Sequence, residues 1–198
     1  MYEYADKTIR YLNARYVVIF NKLKRKFRSV LNFDEINGLD YVTEAYKQLN
    51  DITTPMLIKV AQRAYKDANP DDELDDMWVI DYLNSFNPTS TYIYTKEAER
   101  KKFRTYEAIM SSRAKVKSFE LAKRYWAQMV AEYAVEITDA ATLQAYKDLG
   151  LKKVRWLTEN DDRVCHICQE REGKIYDIDK VPPKTHWGCR CYYVPVKN

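Results

Sequence analysis

All four cysteines and both histidines of this 198-residue chain fall within 27 residues, from Cys165 to Cys191. A soft metal ion needs several sulfur or imidazole donors brought to one point, and few other constraints gather them so tightly. Cys165-x-x-Cys168 puts two sulfurs on one turn, and a 20-residue insert separates it from Cys189-x-Cys191. With His186 just ahead of the second pair, the candidate ligands are Cys165, Cys168, His186, Cys189 and Cys191, one more than a tetrahedral ion takes. Either His186-x-x-Cys189 mirrors the first knuckle, or Cys189-x-Cys191 closes a four-sulfur site with His186 donating a hydrogen bond from outside it. His166, between the first two cysteines, is expected to point away. Reduced or disulfide-paired cysteines are the metal-free alternative. The expected ion is one structural zinc, because nothing in the pattern marks an open coordination position and so short a segment has too little core of its own.

The remainder of the chain reads differently. It has only 4 Gly and 6 Pro, with 31% charged and 14% aromatic residues, which excludes a disordered chain and a Gly-rich sandwich or barrel. Seventeen tyrosines suit helix cores with wet edges or protein interfaces. A net charge of +4 is too small for a general nucleic-acid binder, so any such role needs a local patch. The opening MYEYADKTIR has no apolar signal core, and no run approaches a membrane span. The expectation is a soluble, intracellularly made protein whose cysteines bind metal rather than pair.

Helical periodicity dominates the first two thirds. Ile9, Leu12, Tyr16, Ile19, Leu23, Phe27 and Val30 step by three and four, predicting a helix N-capped by Asp6 and running to about Leu31. Lys22, Lys24, Arg25, Lys26 and Arg28 on it form a solvated face or, on the other reading, a contact for DNA or an acidic partner. Asn37-Gly38 signals a break, Asp40 to about Asn50 a second helix, and Thr54-Pro55 the start of a third that ends near Asn69-Pro70. The acids of Asp71 to Asp76 match no calcium loop and read as the start of a helix burying Trp78, Val79, Tyr82, Leu83 and Phe86, closed by Asn87-Pro88. Lys96 to Trp126 holds ten Lys or Arg against four Glu and predicts one long helix or two broken near Ser111-Ser112. Helix continues through Val135, and Thr138 or Asp139 starts another that stops at Gly150. Alternation at Val154, Trp156 and Thr158, with Ile175-Tyr176 and Tyr192 to Val196, predicts a small antiparallel sheet around the metal.

Trp156, then Asp161 or Asp162, Arg163, Cys165 and Cys168, the Gly173-Lys174 turn, Pro182-Pro183, and His186-x-x-Cys189-Arg190-Cys191 together resemble the minor head proteins of tailed bacteriophages, the Mu F-like head morphogenesis family. The lead-in helix ITDAATLQAYKDLG is similar too, with Asp139 standing where the family's Glu is expected. The resemblance covers about residues 137 to 194. It implies a virion or procapsid protein present in few copies, at the portal or capsid interior, acting in head assembly, DNA packaging or DNA delivery. It implies portal protein or major capsid protein as partners, location in the virion, and host cytoplasm during assembly.

The rival classes are a zinc-supported nuclease and a zinc module that binds nucleic acid. No Asp/Glu/His triad surrounds the two histidines, and none is left to activate a cysteine, so catalysis is not expected. From Thr138 onward eleven basic residues face nine acidic ones, too balanced for strong phosphate binding. The fold expected is mainly α with a small C-terminal α+β zinc-clipped module: a helical domain over 1–137 and a zinc-binding head-morphogenesis module over 138–198. The function expected is structural, with DNA contact through the basic helices as a further option and no membrane association.

Overall fold

The computed structural model describes residues 2–29, 35–85, 115–159, 164–184 and 189–196. The chain is mainly helical with a small C-terminal antiparallel sheet, as its residue pattern predicts. Its elements are α1 (Glu3–Ser29), α2 (Glu35–Ala68), α3 (Asp76–Ser85), α4 (Lys115–Asp148), β1 (Lys153–Leu157), α5 (His166–Arg171), β2 (Ile175–Asp177), a 3-10 turn (Ile178–Lys180) and β3 (Tyr192–Pro195).

Helices α1, α2 and α4 pack on one another in two stacked apolar layers. In the first, Leu12, Tyr16, Phe20 and Leu23 of α1 meet Ala45 and Leu49 of α2 and Trp126 and Val130 of α4. Tyr16 sets the edge of its ring against Trp126 at 6.2 Å and shares a 2.7 Å hydrogen bond with Thr53. Burial pushes the Tyr16 hydroxyl up to about 12, so it stays a neutral partner. In the second layer, Leu57, Val60, Ala61 and Ala64 of α2 face Ala134, Ile137, Ala141 and Ala145 of α4, with Val79 of α3 alongside. Alanines at these steps let the two long helices approach closely.

Several predicted helix starts and breaks are absent. Helix α1 begins at Glu3, so Asp6 lies within its first turn, where a carboxylate favours the helix dipole. Helix α2 is continuous through Asn37-Gly38 and Thr54-Pro55. Its buried seam of Leu49, Thr53, Leu57, Val60, Ala61, Ala64 and Tyr65 steps by three and four across the proline, so tertiary burial outweighs the local break. Thr53 donates its hydroxyl back to the Leu49 carbonyl at 2.6 Å. Helix α4 likewise runs straight through Thr138 and Asp139 and across the 137/138 boundary. Thr138 and Thr142 donate to the Ala134 and Thr138 carbonyls, 2.7 and 2.8 Å, which uses their hydroxyls inside the helix rather than as caps.

The acids before α3 act as turn and cap groups: Asp75 Oδ1 accepts from the Met77 amide at 2.9 Å, and Tyr65 donates to Asp72 at 3.0 Å. Val79 is fully buried while Trp78, Tyr82 and Leu83 pack partly buried beside it; Phe86, Asn87-Pro88, residues 96–114 and Ser111-Ser112 lie outside the described residues.

Gly150 ends α4 as its sequence position predicts. At φ +74° it lets its own amide reach the Lys147 carbonyl (2.8 Å) and the Leu151 amide reach Tyr146 (3.0 Å), so two otherwise unpaired carbonyls are satisfied. The chain then enters β1, the central strand of the order β2-β1-β3, antiparallel on both sides. Val154 pairs with Tyr176 and Trp156 with Tyr193, which puts Val154 and Trp156 on the buried face.

Pro55 supplies no amide to the helix ladder of α2 and its side chain is exposed. Pro55→Ala should therefore raise unfolding stability by about 1–3 kcal/mol, measured by urea denaturation.

Candidate metal centre

Three cysteines converge on the inner face of the sheet. The sulfurs of Cys168, Cys189 and Cys191 all lie within 4.8 Å of one another, and all three residues are buried. Cys168 sits on α5, which begins at His166, and Cys189 and Cys191 flank Arg190 just before β3. The three share one cluster with Trp156, Val154, Ile178, Tyr146 and Tyr193. Trp156 is its floor, with Tyr193 edge-on at 5.4 Å and the Arg171 guanidinium stacked at 5.0 Å.

The donor set fits a thiophilic divalent ion. Cys168 and Cys189 sulfurs are 3.7 Å apart, and a tetrahedral ion with metal–sulfur bonds of about 2.3 Å needs roughly 3.8 Å along each edge. Hydrogen bonding between the Cys189 and Cys191 sulfurs draws the Cys189 thiol well below its ordinary value and pushes Cys191 up, so the pair releases one proton readily.

Cys165 stands beside this group rather than within it. It is the N-cap of α5, and its sulfur accepts from the Cys168 amide at 3.5 Å, the geometry of a two-cysteine turn. His166 is exposed, as expected of a residue pointing away. His186, Asp161, Asp162 and Arg163 lie outside the described residues, so three of the five candidate ligands are gathered and Cys165 is one turn away.

Sequence reasoning missed the polar network that holds this centre against the helices. Lys184 is 1% exposed and its Nζ lies 2.6 Å from Asp139 Oδ2, itself 6% exposed. Tyr2 is buried between them. Its hydroxyl shares its proton between Asp139 Oδ1 at 2.6 Å and the Cys191 carbonyl at 2.7 Å, and accepts from Lys184 Nζ. The Lys184 ammonium also lies over the Tyr2 ring at 4.5 Å. Arg190, between the last two cysteines, forms a forked pair with Asp6 of α1 at 2.8 and 3.2 Å. Burial raises the Asp139 carboxyl and the Lys184 charge offsets it; burial and the Asp139 charge raise the Tyr2 hydroxyl. A carboxylate inside the apolar run AVEITDAATL was the available signal for Asp139; nothing in the sequence marks Tyr2 or Lys184 as its partners.

One turn before Asp139, Glu136 accepts from the Tyr82 hydroxyl at 2.7 Å. Burial first, and the Asp139 charge second, push its carboxyl up to about 7.

Residues 101–194 match the family model described as Phage Mu protein F like protein. Over these residues, just under half of the chain, it is similar to Mu F-like proteins. The match begins well before the cysteines and takes in all of α4, so the likeness covers the long helix as well as the sheet and sulfur cluster. No curated protein and no solved structure gives a significant match.

Lys184→Met would leave Asp139 buried with no opposing charge. It should destabilise the C-terminal module by about 3 kcal/mol or more, seen as early loss of tryptophan fluorescence or of amide protection around β1 in denaturant. Glu136 acts with the opposite dependence on pH from a salt-bridged acid. Its raised value means the fold prefers the protonated form, so its contribution is harmless below the ordinary carboxylate range and costs stability as pH rises through about 7. Glu136→Gln should match the parent near roughly pH 4 and exceed it by about 3 kcal/mol near roughly pH 8, by urea denaturation at both.

Proposed function

We propose that this chain is a minor head protein of a tailed phage, built into the particle in few copies and acting in head assembly. The observation that carries the reading is the Mu F-like match over residues 101–194, which supports a phage head-related protein with a structural rather than catalytic role. The three-sulfur cluster agrees with it: a metal clip suits a small module that must keep its shape without a large core. In this reading zinc is the ion, held by Cys168, Cys189 and Cys191 with Cys165 or His186 as the fourth donor. No helix among the described residues is long and apolar enough to cross a membrane.

The partners in this reading are the portal protein or the major capsid protein, met at the capsid interior or portal vertex. The exposed Lys22, Arg25 and Lys26 at the end of α1 offer DNA a second, salt-sensitive contact. Mass spectrometry of purified DNA-filled heads and procapsids tests the proposal. It expects a few copies per particle relative to the portal subunit; absence from both kinds of particle would overturn it.

The metal is tested separately. The full chain purified with zinc should carry one ion by elemental analysis, and Cys168→Ser or Cys189→Ser should lose it. The same variants should lose protection in β1 and β3 while α2 stays protected in hydrogen exchange. Full metal content in both variants would remove these sulfurs from the site.

A further inference from the structure

Between α3, α4 and the Pro-Pro loop lies a cavity of about 450 Å³, separate from the sulfur cluster. Its aromatic wall is Trp78 and Tyr82, stacked nearly parallel at 5.3 Å, and Pro182 and Pro183 line it as well. Four charged side chains line it, and three of them are already committed. Lys184 pairs with Asp139 at 2.6 Å, and Lys147 pairs with Asp179 at 2.6 Å outside the cavity. Gln144 likewise spends its amide on Asp148 at 2.9 Å. Glu136 is the remaining one.

Glu136 is only 9% exposed, and its Oε1 takes the Tyr82 hydroxyl. Among the described residues its Oε2 accepts no hydrogen bond, and Glu136 lines the open space. A carboxylate so placed is largely deprived of water, and the nearby Lys184 charge, spent on Asp139, offsets this only in part. That is why its proton is held to about 7, and why an incoming cation would have a large effect there.

We propose that this cavity is a receptor for one arginine side chain presented by a partner protein. The charge left over is a single negative one, which calls for a monocation. The shape favours a guanidinium over an ammonium: a planar cation can stack on the Trp78–Tyr82 wall while its N–H groups reach Glu136 Oε2, and its methylenes cover the prolines. The chain uses the same recognition internally, where Arg171 stacks on Trp156 and donates to the Pro183 carbonyl at 2.7 Å. The volume is ample for one such side chain and small for a folded segment.

The probe is N-acetyl-arginine amide, a monocation, against N-acetyl-citrulline amide, its neutral isostere, titrated into the full zinc-loaded chain. Binding is read from amide and indole NMR shifts. Saturation by the arginine probe on the order of 1 mM is expected for so small a ligand, with shifts centred on Trp78, Tyr82 and Glu136. Citrulline should bind at least roughly tenfold more weakly, a difference the lost charge-assisted bond accounts for. Glu136→Gln, which keeps the acceptor for Tyr82, should weaken the arginine probe by a similar factor and leave citrulline unchanged. Spermidine serves as a second arm: saturation by spermidine without arginine would assign the cavity to a free polyamine and overturn the proposal. Equal binding of arginine and citrulline, equal binding by parent and variant, or no saturation by arginine would overturn it too.

Discussion

Asp139 and Lys184 sit 2.6 Å apart with almost no exposure to water, and the attachment of the C-terminal module to the helices depends on them. Two charges out of water are tolerable only when each is opposed and hydrogen-bonded. Tyr2 supplies what is missing, accepting from the ammonium and donating to the carboxylate, with its ring under the cation. The same hydroxyl reaches the Cys191 carbonyl, so one side chain at the start of α1 joins the ion pair to a cysteine of the sulfur cluster. Asp6 adds a second tie through Arg190. The beginning of the chain is thereby fastened to its end across more than 180 residues of sequence.

This fastening changes what the candidate metal centre is. A zinc knuckle read from sequence is a self-contained clip on a small segment. In the folded chain the cysteines lie over the same core as Trp156, Tyr146 and Tyr193, and Tyr146 belongs to α4. The centre is thus anchored through α4, capped by Gly150, and through α1, by Tyr2 and Asp6. An ion bound there would stabilise the junction with the helices as well as its own module.

The buried acids of α4 serve two different ends. Asp139 is spent internally on Lys184. Glu136, one turn earlier and on the cavity side, has among the described residues a neutral phenol as its only hydrogen-bond donor. Evenly solvated carboxylates three residues apart would titrate alike; here burial raises both, the Asp139 charge raises Glu136 further, and only Asp139 has the Lys184 ammonium as a hydrogen-bonded partner. That difference is a property of the surroundings and cannot be seen in the string AVEITDAATL.

The sequence by itself determined the elements whose signals are local. The 3- and 4-residue seams of α1, α2 and α4, the stop at Gly150, and the alternation of Val154 and Trp156 all follow from periodicity and one left-handed glycine. The cysteine spacing likewise brought Cys168, Cys189 and Cys191 to notice, and the Mu F-like pattern was legible in the same residues. Tertiary structure alone decided where helices fail to break. Thr54-Pro55 and Thr138-Asp139 are good local signals, and burying a continuous apolar seam outweighs the small free energies behind them. It alone paired Tyr2, Asp139 and Lys184 as well, because a buried charge finds its partner by proximity in the fold, and proximity between residues 2, 139 and 184 has no trace in sequence spacing.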